Sequence, residues 1–288
     1  MWSSPGSVCD LVAVRERSPR SSLPPAVPER PVDVFQAALL GLVQGLTEFF
    51  PVSSSGHLVL IQAWLGIHEE GVLFEVAVHV ATLVSVLVFY RRRVGSLALG
   101  LLTRRSADWR YAAKLALATV PAVVLVRVAG DFFEAQLESP RSAALGLLLT
   151  GAILWTTRRT LPGAHAAEPG WVAALLIGCA QALAILPGIS RSGSTVAAAL
   201  ALGVAPAAAA EFSFLMSVIA IAGAAARMLP LVSAVPADAW PPLLVGGCVA
   251  LVAGVAALAL FVRLLRSGAF YRFAWYVWPV GVLALLLL

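Results

Sequence analysis

Long apolar runs interrupted by two short polar stretches set the pattern of this 288-residue chain. A helix needs about 20 predominantly apolar residues to cross the hydrocarbon of a bilayer. Six stretches qualify, roughly 72–90, 111–129, 141–157, 208–229, 241–265 and 271–288. Four other apolar pieces, about 34–49, 58–67, 171–185 and 194–204, are too short or too interrupted. They fall in two pairs, and each pair is hinged at one of the polar stretches. A pair of short helices joined by a Pro/Gly/Ser turn predicts a re-entrant hairpin. Its irregular backbone is tolerated at membrane depth only where protein buries it or a wet cavity borders it. The predicted fold is an all-α polytopic membrane protein with six transmembrane helices and two re-entrant helical hairpins.

The two hairpins resemble each other. Placing Gln44 on Gln181 gives a gapless offset of 137 residues, which also matches Gly41 with Gly178, Ser53 with Ser190, Ser55 with Ser192 and Gly56 with Gly193. This predicts an internal duplication with halves at about 33–129 and 170–265 and a final helix at 271–288. Loop charge orients the halves. Arg91, Arg92, Arg93, Arg104, Arg105 and Arg110 crowd one loop, Arg158 and Arg159 another, and Arg263, Arg266 and Arg272 a third. The loop near 130–140 is acidic, with Asp131, Glu134 and Glu138. Basic loops stay cytoplasmic, so the first hairpin enters from outside and the second from the cytoplasm. Two related halves in opposite orientation form an inverted repeat whose polar tips meet near the midplane.

Composition agrees with a membrane domain spanning 32–288: 60% hydrophobic residues, a mean hydropathy of +0.90 and 12% charged residues, where soluble domains carry roughly 25%. The formal charge of +5 fits loops beside anionic lipid and gives no support for nucleic-acid binding. Cys9, Cys179 and Cys248 are scattered and imply neither a metal site nor a disulfide framework. Residues 1–31, rich in Pro, Ser and Arg, read as a disordered tail. Part of that tail is expected to lie upstream of the true translation start.

The polar stretches carry the candidate chemistry. Gln44 and Glu48, spaced i, i+4, share one helix face and suit a hard divalent cation or a base held by its neighbour. Ser53, Ser54 and Ser55 follow in the turn, where backbone N–H groups and hydroxyls favour an anion; for any one serine a helix cap is the simpler role. His57 lies close enough in sequence to reach Ser53 or Ser54, the minimum for a nucleophile and its base. On the second tip, Arg191 sits among Ser190, Ser192, Ser194 and Thr195, with Gly188 and Gly193 allowing close backbone approach. A guanidinium grips phosphate oxygens in pairs. Pairing of Arg191 with Glu48 across the hairpins would satisfy both charges equally well. An acid, a Ser–His pair and an Arg–serine anion cradle together describe a phosphoryl-transfer site, and its depth in a bilayer points to a phosphate-bearing lipid.

Gly45-Leu-Thr-Glu48-Phe-Phe-Pro-Val-Ser-Ser-Ser-Gly-His57 and Pro187-Gly-Ile-Ser-Arg191-Ser-Gly-Ser-Thr195 closely resemble the two signature stretches of the bacterial undecaprenyl-diphosphatases, the bacitracin-resistance membrane phosphatases. Phe74-Glu75 and Glu211-Phe-Ser-Phe-Leu are similar to further family blocks, and the resemblance covers about residues 33–288. It implies hydrolysis of undecaprenyl diphosphate in the inner membrane, recycling the carrier lipid for peptidoglycan synthesis and conferring bacitracin resistance. It also implies a divalent cation, Mg²⁺ or Ca²⁺, and a site opening to the outer side; a homodimer is allowed. Carried over by position, Ser54 is the nucleophile or its hydrogen-bond partner, His57 the acid/base and Arg191 the diphosphate clamp. Glu48 with Gln44 forms the metal or base site, and Ser53, Ser55, Gly188, Ser190, Ser192 and Thr195 complete the diphosphate cradle. This chain departs from the pattern at Ser55, where Thr is frequent, at His79, where Gln is frequent, and at Ile219, often Pro. Tyr276-Val277 stands where an aromatic followed by Arg is common. The rival reading is a transporter that flips a polyprenyl phosphate, because inverted repeats with re-entrant hairpins also build transporters.

Overall fold

The computed structural model describes residues 33–65, 71–137, 139–232 and 235–287. The expected N-terminal tail, 1–31, lies outside them. Eleven helices account for nearly all of the described residues: α1 Val34–Phe49, α2 Ser54–Leu65, α3 Gly71–Phe89, α4 Arg91–Leu102, α5 Ser106–Leu137, α6 Pro140–Thr160, α7 Trp171–Leu183, α8 Arg191–Ala201, α9 Pro206–Val232, α10 Trp240–Arg266 and α11 Ala274–Leu287. Local sequence sets their ends. Asp33 and Gln36 close a capping box on α1, with Gln36 N donating to Asp33 Oδ1 at 2.8 Å and Asp33 N to Gln36 Oε1 at 3.1 Å. Pro51 disfavours helix at Phe50 and stops α1 there. Ser139 caps α6, with Pro140 in its first turn, where no N–H is needed.

Among the described residues four helical segments are long and apolar enough to span a membrane: Ser106–Gly130, Pro206–Gly223, Ala237–Arg266 and Phe270–Leu287. The other two stretches expected to span fall on α3 and α6, helices of 19 and 21 residues that are not among these four. Thr150, Thr156, Thr157, Arg158 and Arg159 dilute the apolar character of α6. The four short apolar pieces fall on α1, α2, α7 and α8, so each polar stretch is a turn between two short helices.

Side-chain contacts fix helix directions. Gly41 approaches Gly246, Gly45 approaches Ala250, and Phe49 reaches Gly254, so α1 runs parallel to α10. On α3, Phe74 meets Gly246 and Ser85 Oγ donates to Leu251 O at 3.0 Å, again in parallel register with α10. In the same way Trp171 lies by Lys114 and Gly178 against Ala118, so α7 runs parallel to α5. Helix α9 returns against α3: Tyr90 meets Phe214 at 6.4 Å, while Ile221 shares a cavity wall with His79. Small residues at these crossings let backbones approach closely, which is how helices associate in lipid. Gly41 and Gly178, partners at the 137-residue offset, each face a backbone carbonyl, of Gly246 and Ala118.

A single parallel bridge joins Ala166, before α7, to Val204, after α8. The second hairpin therefore starts and ends at the same level. Aromatic edges fill the centre, with Phe214 against Phe49 at 5.6 Å and against Phe261 at 5.1 Å.

Candidate active site

Both polar stretches fold as the same cap. Ser53 Oγ accepts from Gly56 N at 3.2 Å, and its counterpart Ser190 Oγ accepts from Gly193 N at 3.0 Å. Each capping hydroxyl also meets the serine two residues on, Ser55 at 3.3 Å and Ser192 at 3.2 Å. The cap places one side chain in the same position on each tip, at the first residue of the following helix: Ser54 on α2 and Arg191 on α8. The turns differ in how they reach it. Ser53 itself adopts a left-handed φ of 68°, whereas the second turn uses Gly188 at φ 82°. A Cβ at Gly188 would also press into the carbonyl of Ala143, so only glycine fits there.

The tips meet. Ser192 Oγ donates to Phe50 O at 3.2 Å, and a Cβ on Gly56 would lie 2.8 Å from Gly188 Cα. Helix α6 buttresses the junction through Thr150, whose hydroxyl donates to Gly188 O at 2.7 Å and accepts from Ser190 N at 2.9 Å. Thr150 lies 40 positions before Ser190, and local sequence carries no signal for it.

At the junction Glu48 gathers the chemistry. Its Oε2 accepts from Ser54 Oγ at 2.7 Å and from Gln44 Nε2 at 3.0 Å, while its Oε1 pairs with the Arg191 guanidinium. The acid, the first-tip hydroxyl and the second-tip arginine thus share one carboxylate. They border a cavity of about 270 Å³ with a polar wall of Thr47, Glu48, the three serines 53–55, His79, Ser190 and Arg191. Ala184, Ile185, Ile189, Ala220 and Ile221 supply the apolar part of the lining. The asymmetry follows from the offset: Glu48 has Ile185 as its counterpart, so the second hairpin supplies no carboxylate.

Other expected site residues are held elsewhere. His57 does not line this cavity. Its Nδ1 lies 2.8 Å from Ser53 O, so it carries the proton, and its Nε2 lies 2.9 Å from Tyr276 Oη, with the two rings stacked at 5.7 Å. Of the two serines the sequence puts within its reach, His57 meets Ser53, through the backbone carbonyl, while the Ser54 hydroxyl bonds Glu48 instead. Ser192 is spent on Phe50 O, and Thr195 Oγ1 donates to Arg191 O at 2.7 Å and touches Ser213. Gly188 contributes its carbonyl to Thr150 and lies off the cavity wall. Sequence reasoning missed Tyr276, Thr150 and the place of His79, whose Nε2 lies 3.8 Å from Glu48 Oε2. Tyr276 and His79 were visible only as departures from a family pattern.

Two hard protein oxygens suit a divalent cation that completes its shell with water and phosphate. Candidates are Glu48 and the buried Gln44 Oε1, which has no hydrogen-bond partner among the described residues. No group of three or more His, Cys, Asp or Glu side chains that could hold a metal ion lies among the described residues.

A profile of the family described as bacitracin resistance protein BacA matches residues 37–283. The chain is similar to an undecaprenyl-diphosphatase of Carboxydothermus hydrogenoformans, 41% identical over 261 residues that cover 88% of this chain and 97% of the relative. It is 40% identical to one from Alcanivorax borkumensis over 87% of this chain and 97% of that protein. Against one from Desulforapulum autotrophicum it is 35% identical, over 88% of this chain and 98% of the relative. With matches that run from α1 to α11, the chain belongs to the bacitracin resistance protein BacA family.

Proposed function

We propose that this protein is an integral membrane phosphatase that cleaves undecaprenyl diphosphate to undecaprenyl phosphate and inorganic phosphate. That reaction returns the carrier lipid to peptidoglycan synthesis and underlies bacitracin resistance. The observation that carries the reading is the convergence of Ser54, Glu48 and Arg191, from two separate hairpins, on one cavity. Phosphoryl transfer asks the protein for positioning and charge stabilisation more than covalent chemistry, and this arrangement offers both. Glu48 Oε2 is placed to take the Ser54 proton as Oγ attacks the terminal phosphorus. The bond to the bridging oxygen then breaks, and the lipid monophosphate leaves with the electron pair. Water hydrolyses the phosphoserine in a second step. Arg191, paired with Glu48 without substrate, exchanges that carboxylate for phosphate oxygens when the diphosphate enters. The apolar wall of Ile185, Ile189 and Ile221 suits the first isoprene units.

A divalent cation, Mg²⁺ or Ca²⁺, is part of this proposal, with Glu48 and Gln44 holding it. When bound, it would neutralise charge on the phosphates. His57 acts through Ser53 and Tyr276, fixing the left-handed turn that aims Ser54.

The proposed topology has six spans, α3, α5, α6, α9, α10 and α11, with hairpins α1–α2 and α7–α8 entering from opposite faces of the inner membrane. It is supported by the parallel pairs α1/α10 and α7/α5, by the repeated caps and by the Ala166–Val204 bridge. With the arginine-rich loops cytoplasmic, the cavity lies at mid-depth or slightly outward, since Ala220 and Ile221 fall past the middle of α9.

Phosphate release from isoprenyl diphosphates of several lengths, by purified wild type and Arg191→Ala with Mg²⁺ or Ca²⁺, tests the proposal. Release by wild type alone is expected. Transfer of polyprenyl phosphate across vesicles without any phosphate release would establish the transporter reading in its place.

A further inference from the structure

We infer that the outward face of α4, continued by the first turn of α5, is a binding surface for the headgroups of anionic phospholipids. Arg92, Arg104 and Arg110 take the phosphates, and Leu99, Leu102 and Trp109 lie against the upper part of the acyl chains.

Residues 91–110 hold six arginines and one acid, Asp108. Two of the six are paired with acids. Arg93 Nε donates to Glu211 Oε1 at 2.8 Å, and its guanidinium lies 4.5 Å over the Tyr111 ring. Arg105 meets Asp108 at 3.1 Å and donates to Ser96 O at 3.0 Å. Both acids that touch the segment are thereby spent. Arg91 donates to Val88 O at 3.2 Å, a bond within its own turn. Arg92, Arg104 and Arg110 are exposed, and their guanidiniums have no partner among the described residues.

The backbone singles out Arg104. Helix α4 closes with Arg104 N donating to Leu101 O at 3.2 Å and Arg105 N to Gly100 O at 2.8 Å, and Arg104 is left-handed at φ 55°. That closing position usually holds glycine, because a side chain crowds the following carbonyl there. Ser53 and Arg104 are the non-glycine residues with positive φ among the described residues, and Ser53 belongs to the first polar tip. An arginine held against its backbone preference, exposed and unpaired, calls for a job outside the protein.

Beside these charges the face is apolar. Leu99, Leu102 and Trp109 are 58%, 82% and 55% exposed, while Val94 and Leu97, on the other side of α4, pack against the core. Trp109 Nε1 donates to Leu101 O at 3.2 Å, which ties the indole to the end of α4. One face on the protein, and another that sets arginines beside leucine and tryptophan, suits the boundary between headgroups and acyl chains. Charge complementarity calls for an anion, and the exposed apolar side chains favour a lipid over a soluble one. In the proposed topology this loop faces the cytoplasmic leaflet, whose anionic lipids attract arginines.

The test is native mass spectrometry of purified full-length protein in detergent, offered equal amounts of phosphatidylglycerol and phosphatidylcholine. Wild type is expected to retain phosphatidylglycerol preferentially. A guanidinium beside an anionic lipid surface contributes about fivefold, so Arg104→Gly should lower the preference about fivefold. The triple variant Arg92→Gln, Arg104→Gly, Arg110→Gln should lower it at least ~10-fold. Glycine suits the left-handed position, so the melting temperature of Arg104→Gly should hold or rise, and its lost lipid then reports charge. Arg92→Gln with Arg110→Gln gives the same reading without touching that turn. Removing three exposed arginines elsewhere, by Arg159→Gln, Arg263→Gln and Arg266→Gln, should leave most of the preference. Equal retention of the two lipids by wild type, or an equal loss in that control, overturns the inference. A wild-type dimer that the first triple variant splits, without lipid preference, overturns it in favour of a second copy on this face. Phosphate release plays no part in the readout, so the phosphatase reading is judged separately.

Discussion

A buried carboxylate that bonds a hydroxyl on one oxygen and a guanidinium on the other can be taken apart one residue at a time. Arg191→Ala leaves Glu48 as a buried charge without its cation, and Glu48→Ala strands Arg191. Each should lower turnover at least about 10²-fold, the scale of a lost electrostatic contact to the reacting group, and near-wild-type rates in either would count against the site. Ser54→Ala decides the nucleophile. Collapse of activity, with no trapped phospho-enzyme, is the expected result; substantial residual activity would assign the attack to a water activated by Glu48. Tyr276→Phe tests the arm that holds His57. Loss of one hydrogen bond costs ~1 kcal/mol, so a several-fold fall in kcat with KM little changed is expected, and an unaltered kcat would show that the contact is idle. The sequence made Glu48, Ser54 and Arg191 legible because charge and hydroxyls are conspicuous in apolar surroundings. It left open whether His57 meets Ser53 or Ser54, because side-chain direction depends on the left-handed turn at Ser53, which no residue type there announces.

At the scale of elements, the second tip is held open by a side chain from another helix. Thr150 on α6 satisfies the Gly188 carbonyl and the Ser190 N–H together. Thr150→Val keeps the volume but leaves both backbone groups unpaired, each costing about 1–3 kcal/mol. The tip should loosen, with faster proteolysis near residues 187–191 and weaker substrate binding, whereas Thr150→Ser should recover most of both. Equal behaviour of the valine and serine proteins would mean that Thr150 only fills space. The two hairpins themselves were readable, since short apolar pieces flanking Pro, Gly and Ser have few other structures at membrane depth. The buttress was not: it depends on where α6 crosses, and a threonine in a threonine-containing helix carries no mark of its partner.

At the scale of the molecule, the repeat makes a demand that composition alone does not. If α1 pairs in parallel with α10 and α7 with α5, the two halves point in opposite directions only if α9 crosses from the side of Ala167 to the side of Asp238. The duplication at an offset of 137 residues was visible in Gln, Ser and Gly positions, but sidedness came from arginine counts, which bias insertion statistically. Single cysteines at exposed Arg92, Ala167 and Asp238, in a background lacking Cys9, Cys179 and Cys248, turn the bias into a measurement. A membrane-impermeant maleimide applied to intact cells with a permeable outer envelope should label Asp238→Cys alone. Arg92→Cys and Ala167→Cys should react only after the membrane is opened. Labelling of Ala167→Cys and Asp238→Cys from one face would place both ends of α9 on that face. The halves would then be parallel, and Arg191 and Glu48 could not approach from opposite leaflets, so the pairing seen at the tips would need a different origin.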